Sequence, residues 1–201
     1  DFLREDLPQL LNSMQGGAER IATIVEGLRS FARHDESEIK AVDIHAGIDS
    51  TLMILQHQLR ETNARPGIRV IKDYGKLPKV TCYASPLNQV FMNLIKNAID
   101  ALEEKIQSRK TALEEPTIRI QSLTTANETV KIIIADNGSG INPEIVGQIF
   151  DPFFTTKVVG KGTGLGLFSS YRIIVEKHKG QLNCNSKLGE GSEFIIEIPV
   201  Q

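Results

Sequence analysis

The chain has 201 residues, 40% hydrophobic and 24% charged, enough for one large domain or one domain plus an appendage. A formal net charge of -2, few aromatic residues and no tryptophan argue against a nucleic-acid partner, because neither a basic footprint nor a base-stacking platform is present. No apolar run approaches the ~18–20 residues of a membrane-spanning helix, and no signal peptide is legible. The first residue is Asp1 rather than Met, which reads as a piece of something longer. A membrane link would then come only through missing upstream segments, and the expected location of this stretch is the cytoplasm. Cys82 and Cys184 lie far apart and read as reduced thiols. The histidines, His34, His45, His57 and His178, show no metal-ligand spacing with them.

In chain order, Leu7, Leu11, Met14, Ala18, Ile21, Val25, Leu28 and Ala32 recur at alternating steps of four and three, a heptad seam on a helix. Gly16-Gly17 weakens its middle by about 1 kcal/mol per glycine relative to alanine, so the helix bends or restarts there. The seam needs a cover, from a helical hairpin, a dimer bundle or the chain's own domain. Asp35-Glu36-Ser37-Glu38 closes this region, which suggests a helical dimerisation unit over 1–40 and a second unit over 41–201.

Asp43 suits the cap of a helix carrying Ile44, Ile48, Leu52, Leu55 and Leu59 on one face. Asn63 to Gly67 reads as a turn, and Arg69–Tyr74 and Lys79–Tyr83 as strands. Ser85-Pro86 opens a long helix to about Arg109, with proline where its missing N–H costs nothing. Thr117–Thr124 and Thr129–Ala135 read as paired strands joined at Ala126-Asn127. Asn142-Pro143 starts a short helix, Asp151 to Gly162 is a loop, and Leu165 to His178 is helical. Gly180–Asn185 and Ser192–Pro199 form a last hairpin around Gly189-Glu190-Gly191. This order is not a regular βαβ alternation. It predicts an α+β fold, a two-layer sandwich with a mixed sheet and helices on one face, preceded by the helical segment.

Three stretches offer parts of a nucleotide site. In Asn93-Leu94-Ile95-Lys96-Asn97-Ala98 the two amides are four apart and share a helix face bordering an apolar stripe. A neutral amide oxygen suits magnesium, which keeps some of its waters and takes negative charge from substrate phosphates; the same spacing also suits ordinary surface polarity. Asp136 ends the apolar strand Ile132-Ile133-Ile134, followed by Asn137-Gly138-Ser139-Gly140-Ile141. An ionised aspartate only accepts hydrogen bonds, which matches the amino group of adenine and not the carbonyl of guanine. Gly138 and Gly140 let a flat ring approach, although Asp-Asn-Gly is also a common turn. Gly162-Thr163-Gly164-Leu165-Gly166-Leu167 runs bare peptide N–H groups into a helix, which suits phosphates or a plain glycine-rich cap. It fits neither a P-loop nor a Rossmann fingerprint. Between the second and third, Phe150-Asp151-Pro152-Phe153-Phe154-Thr155-Thr156-Lys157-Val158-Val159-Gly160-Lys161 could form a lid, from which Lys157 and Lys161 could reach phosphates.

The order of these boxes resembles the GHKL ATPases, and within them the two-component sensor histidine kinases. Asn93 to Ala98 is similar to the family's N box, Asp136 to Ile141 to its first glycine box, Phe150 to Lys157 to its F box, and Gly162 to Leu167 to its second glycine box. Gly189 through Pro199 resembles the kinase C-terminal hairpin, and Ala18 to Arg33 resembles the second helix of the dimerisation bundle. The resemblance implies a GHKL fold, ATP and Mg2+ as cofactors, Asn97 on the metal and Asn93 near the phosphates. It implies Asp136 on the adenine amino group with Ser192 supporting it through water. Gly138, Gly140 and Ile141 would lie at the base, and Gly162, Thr163, Gly164, Leu165, Gly166 and Leu167 around the phosphates. It implies a response-regulator receiver domain as partner and a homodimer through the N-terminal helices.

Two departures stand out. Many histidine kinases carry a lysine three residues after the magnesium-binding asparagine; here that position is Asp100, so Lys157 is the candidate replacement. None of the four histidines fits the phosphoacceptor pattern His-[Glu/Asp]-x-x-x-Pro: His34-Asp35 has Ile39 where proline belongs, and His57-Gln58 lacks both acid and proline. The acceptor is therefore expected upstream of Asp1, and this stretch is expected to bind ATP without phosphorylating itself. The competing readings are an ATP-driven dimer clamp of the gyrase or MutL sort, and a degenerate module that binds no nucleotide.

Overall fold

The computed structural model describes residues 39–62, 65–108, 115–157 and 162–200. The heptad seam, nearly all of the 1–40 unit, the first two residues of the expected Asn63 to Gly67 turn, Arg109 and Lys161 lie outside these residues. The described part begins with β1 (Ile39–Val42), then α1 (Ile44–Ile54), α2 (Gln56–Leu59), β2 (Arg69–Tyr74), β3 (Val80–Tyr83) and the long α3 (Ala84–Ser108). The hairpin β4 (Thr117–Thr124) and β5 (Thr129–Asp136) follows. After it come α4 (Gly166–Arg172), β6 (Gln181–Lys187) and β7 (Gly191–Pro199).

Five strands form one sheet in the order β2-β4-β5-β7-β6. β2 and β4 run parallel, and the other neighbours are antiparallel. This is the mixed sheet that the element order implied. Its buried face alternates with the pleat: Ile118 and Ile120 on β4, Val130, Ile132 and Ile134 on β5, and Phe194, Ile196 and Ile198 on β7. The same periodicity turns Arg119 outward into solvent and leaves Lys131 and Glu197 only partly covered. Against the buried face lies α3, whose Leu87, Val90, Phe91, Leu94, Ile95, Ala98, Ile99 and Leu102 are buried at steps of three and four. Each large apolar side chain so covered contributes about 1.5–3 kcal/mol. Helix α1 adds Ile44, Ile48 and Leu52 to the same core, and Asp43 caps it as expected, accepting from the His45 N–H at 2.9 Å.

Three local expectations change. Strand β1 was not legible, because Ile39–Val42 is mostly exposed and becomes a strand only by antiparallel pairing with β3, some forty residues on. Asn142-Pro143 opens no α-helix: Asn142 closes a turn on the Glu144 and Ile145 N–H groups, and a single tight turn, Val146–Gln148, follows. The expected Leu165–His178 helix is α4 followed by a wider turn, Ile173–Lys177, with five residues per hydrogen-bonded step. That turn delivers His178 to β3, where its Nε2 accepts the Tyr83 N–H at 3.2 Å while Nδ1 donates to the Ile173 carbonyl at 2.8 Å.

Candidate functional site

One row of side chains on α3 organises the site. Asn93, Asn97, Ala101 and Lys105 follow one another at steps of four, so they lie one above the next on a single face. Over about 18 Å of helix this row meets the other two motifs in turn.

At the first level, Asn93 Nδ2 donates to the Gly166 carbonyl and to Ser170 Oγ, both at 3.1 Å, and so ties α3 to the head of α4. Asn97, half-buried, comes one turn later with its amide on the same face. Beside it, Asp100 holds the lid: Lys157 Nζ lies 2.5 Å from Asp100 Oδ2. The cation expected at the phosphates is thus paired with the acid that stands at the usual lysine position. The base of the lid is fixed on the second glycine box. Phe153, 72% exposed, takes a left-handed φ of 66° and its N–H donates to the Gly164 carbonyl at 3.0 Å. Gly164 has φ 66° as well, and a Cβ there would stand 2.6 Å from Phe153 Cα, so only glycine fits. Thr163 Oγ1 accepts the Leu165 N–H at 3.4 Å, Gly162 lies against Thr155 and Lys157, and Leu167 packs on the core.

At the lower levels the row meets the first glycine box. The Ala101 carbonyl accepts the Ser139 N–H at 3.1 Å, and Lys105 Nζ donates to the Asn137 carbonyl at 2.5 Å. Asp136 ends β5 between Ile118 of β4 and Ser192 of β7. Its carboxylate accepts the Gly138 N–H at 2.8 Å and the Ser192 main-chain N–H. Burial pushes this carboxyl up to about 6; the two N–H donors and the Lys105 charge work against that rise. The Ser192 hydroxyl turns to Ser186 Oγ at 2.9 Å, and Ser186 accepts the Ile141 N–H at 2.8 Å. Ser192 therefore reaches Asp136 through its backbone. The two glycines answer to neighbouring chain segments. A Cβ on Gly138 would stand 2.8 Å from Ala101 Cβ, and Gly140, at φ 69°, would press one into the Lys187 carbonyl group.

Both glycine boxes thus meet α3, one through Asn93 and the other through Ala101 and Lys105. His57 does not join them: it is exposed on α2, its Nδ1 3.2 Å from the Ile54 carbonyl. Among the described residues no cluster of three His, Cys, Asp or Glu side chains could hold a metal, and both cysteines are free thiols. Asn97 is a neutral oxygen donor with no carboxylate cage around it among the described residues, which suits a hard cation that arrives carrying phosphates. The sequence reading missed Lys105. Its signal was the next step of four beyond Asn93, Asn97 and Ala101.

Residues 82–201, more than half of the chain, match the family described as histidine kinase-, DNA gyrase B-, and HSP90-like ATPase. The chain is 32% identical over 207 residues to the two-component sensor PprA of Pseudomonas aeruginosa, covering 100% of this chain and 20% of that protein. It resembles the solved catalytic domain of the histidine kinase ThkA in a nucleotide-free form, with 28% identity, a TM-score of 0.66, and 81% and 96% of the two chains covered. The full-length ShkA structure in complex with AMPPNP shares the fold, with a TM-score of 0.73 at 21% identity over 96% of this chain and 38% of that one. The chain spans about a fifth of the length of the curated relatives it matches first.

Proposed function

Because this chain belongs to the histidine kinase-, DNA gyrase B- and HSP90-like ATPase family, we propose that it is the ATP-binding catalytic core of a sensor histidine kinase. It would transfer the γ-phosphate of ATP to a histidine outside this sequence, for relay to the aspartate of a response-regulator receiver domain. The observation that carries the reading is the α3 row, which brings amide, acid and glycine motifs onto one face. The sensor-kinase names of relatives such as PprA favour a kinase over a gyrase-like clamp.

Each residue then has a physical task. Asp136, ionised at neutral pH, accepts from the adenine amino group, with Gly138, Gly140 and Ile141 at the base. Asn93 keeps the second glycine box against α3, so that the peptide N–H groups of Gly162 to Leu167 face the phosphates. Asn97 is the residue that would hold magnesium, which when bound neutralises phosphate charge. Lys157 supplies a further positive charge from the lid. Phosphoryl transfer is mainly positioning and charge neutralisation, and this arrangement can provide both. The reading also carries a cytoplasmic location, where ATP is available, and a homodimer through the 1–40 helical unit. No described helix is long and apolar enough to cross a membrane.

The test is a titration of the chain with a fluorescent ATP analogue, followed by incubation with magnesium and labelled ATP. Saturable binding without acid-labile label on the chain is the expected result. No binding at all would identify a degenerate module, and strong self-labelling would place an acceptor histidine within the sequence.

A further inference from the structure

Among the described residues Lys105 is a buried charge whose role the motifs of the site leave unexplained. It is 8% exposed, in the last turns of α3, while lysine is almost never this buried without a partner. Its Nζ reaches the Asn137 carbonyl at 2.5 Å, one residue past Asp136. An ammonium buried against a neutral carbonyl is a costly arrangement unless a negative charge lies close by.

The groups around Asp136 show which charge that is. From α3 comes Lys105. From β6 comes the Cys184 thiol, pushed up to about 12 by burial and by the negative charges of Asp136 and Glu193, so it stays neutral. From β7, Glu193 is turned to Asn185, whose Nδ2 donates to it at 3.2 Å. From α3 again, Glu104 accepts the Ser139 hydroxyl at 3.0 Å. A neutral thiol thus lies near a carboxylate that burial already disfavours as an anion, and the two nearby acids are turned to other partners. Among the described residues Lys105 is the cation that acts on it.

We propose that Lys105 is a positioning residue of the nucleotide site, anchoring the Asp136–Gly140 loop to α3 and supplying the positive field that keeps Asp136 a pure hydrogen-bond acceptor. This rests on the ATP-binding reading above and deepens it. The Gly138 and Ser192 N–H groups already point at the carboxylate, and an adenine amino group would be a third donor. A proton on Asp136 would then face a donor, so protonation and adenine binding oppose each other.

Lys105→Gln removes the charge while keeping an amide donor, one bond shorter, on the side of the Asn137 carbonyl. Lys105→Arg keeps the charge. Removing the charge moves the Asp136 midpoint upward from about 6, so the ionised fraction at pH 6 falls below about one half. ATP affinity of Lys105→Gln should then be several-fold weaker than wild type at pH 6 and equal to it at pH 8.5, with Lys105→Arg close to wild type throughout. A weakening by the same factor at every pH, or no difference at any pH, overturns the proposal. Carbon NMR of the Asp136 carboxyl in the nucleotide-free protein gives a second reading: its titration should move upward in Lys105→Gln. That measurement stands even where ATP fails to bind, so loss of the kinase reading and loss of this inference give different results. An unmoved Asp136 midpoint overturns the inference alone.

Discussion

Around Asp136 the site is built from buried main chain, whereas around Lys157 it is built from exposed side chains. The Asp136 loop is held by Ala101, Asn137, Thr117 and Ser192, through carbonyl and N–H groups that belong to the helix and the sheet. The lid is held at its base by one Phe153–Gly164 backbone bond and farther out by the Lys157–Asp100 pair, about one-third exposed on each side. In the first environment a carboxylate is strongly perturbed. In the second a cation is screened and easily exchanged between partners. On the proposed reading, base recognition would be pre-formed, while the charge for the phosphates would sit on a contact weak enough to give up.

The largest effect that would break this contrast is at Asp136. Asp136→Asn should weaken ATP binding by about 100-fold, the scale of losing a charge-assisted hydrogen bond and leaving N–H donors badly matched. Titration with the fluorescent analogue checks it; retained affinity would move base recognition elsewhere. The same variant tests the burial. Because the folded carboxyl is raised from 3.8 to about 6, the folded chain holds that proton more tightly than the unfolded chain. Its stabilising contribution is complete below the unfolded value and is lost as pH rises through about 6, by roughly 1–3 kcal/mol. Urea unfolding of the nucleotide-free protein at pH 5 and pH 7 should show that fall, and Asp136→Asn should flatten it.

Next comes Gly164→Ala, which forces a side chain into a left-handed position against the Phe153 backbone. A cost of roughly 2 kcal/mol is expected, or about 4–8 °C in the thermal midpoint, with weaker ATP binding. An unchanged melt would mean that the lid base is looser than described. The smallest effect sharpens the lid end. Lys157→Ala should leave stability within about 1 kcal/mol, as for other exposed pairs. It should weaken ATP binding several-fold at low salt and less at high salt. The exchange Asp100→Lys with Lys157→Asp, which returns the cation to α3, should recover that loss. Failure to recover would show that the lid position itself matters.

Much of this was legible in the chain. Strands β4, β5 and β7 announce themselves because one face alternates apolar residues, and α3 because its apolar stripe keeps a period of three and four. The three boxes were visible because glycine, asparagine and aspartate at fixed spacing have few interchangeable substitutes. Strand β1 and the Ile173–Lys177 turn were not, since both exist through partners distant in sequence.

The residues alone therefore determined most of the elements, the order of the boxes and the acid, amide and glycine chemistry at each. Only the tertiary structure decided that Asn93, Asn97, Ala101 and Lys105 form the row on which the boxes meet, that Ser192 serves Asp136 through its backbone, and that Lys157 rests on Asp100. Period and composition act over a few residues, whereas field, burial and hydrogen-bond geometry depend on groups that only folding brings within a few ångströms.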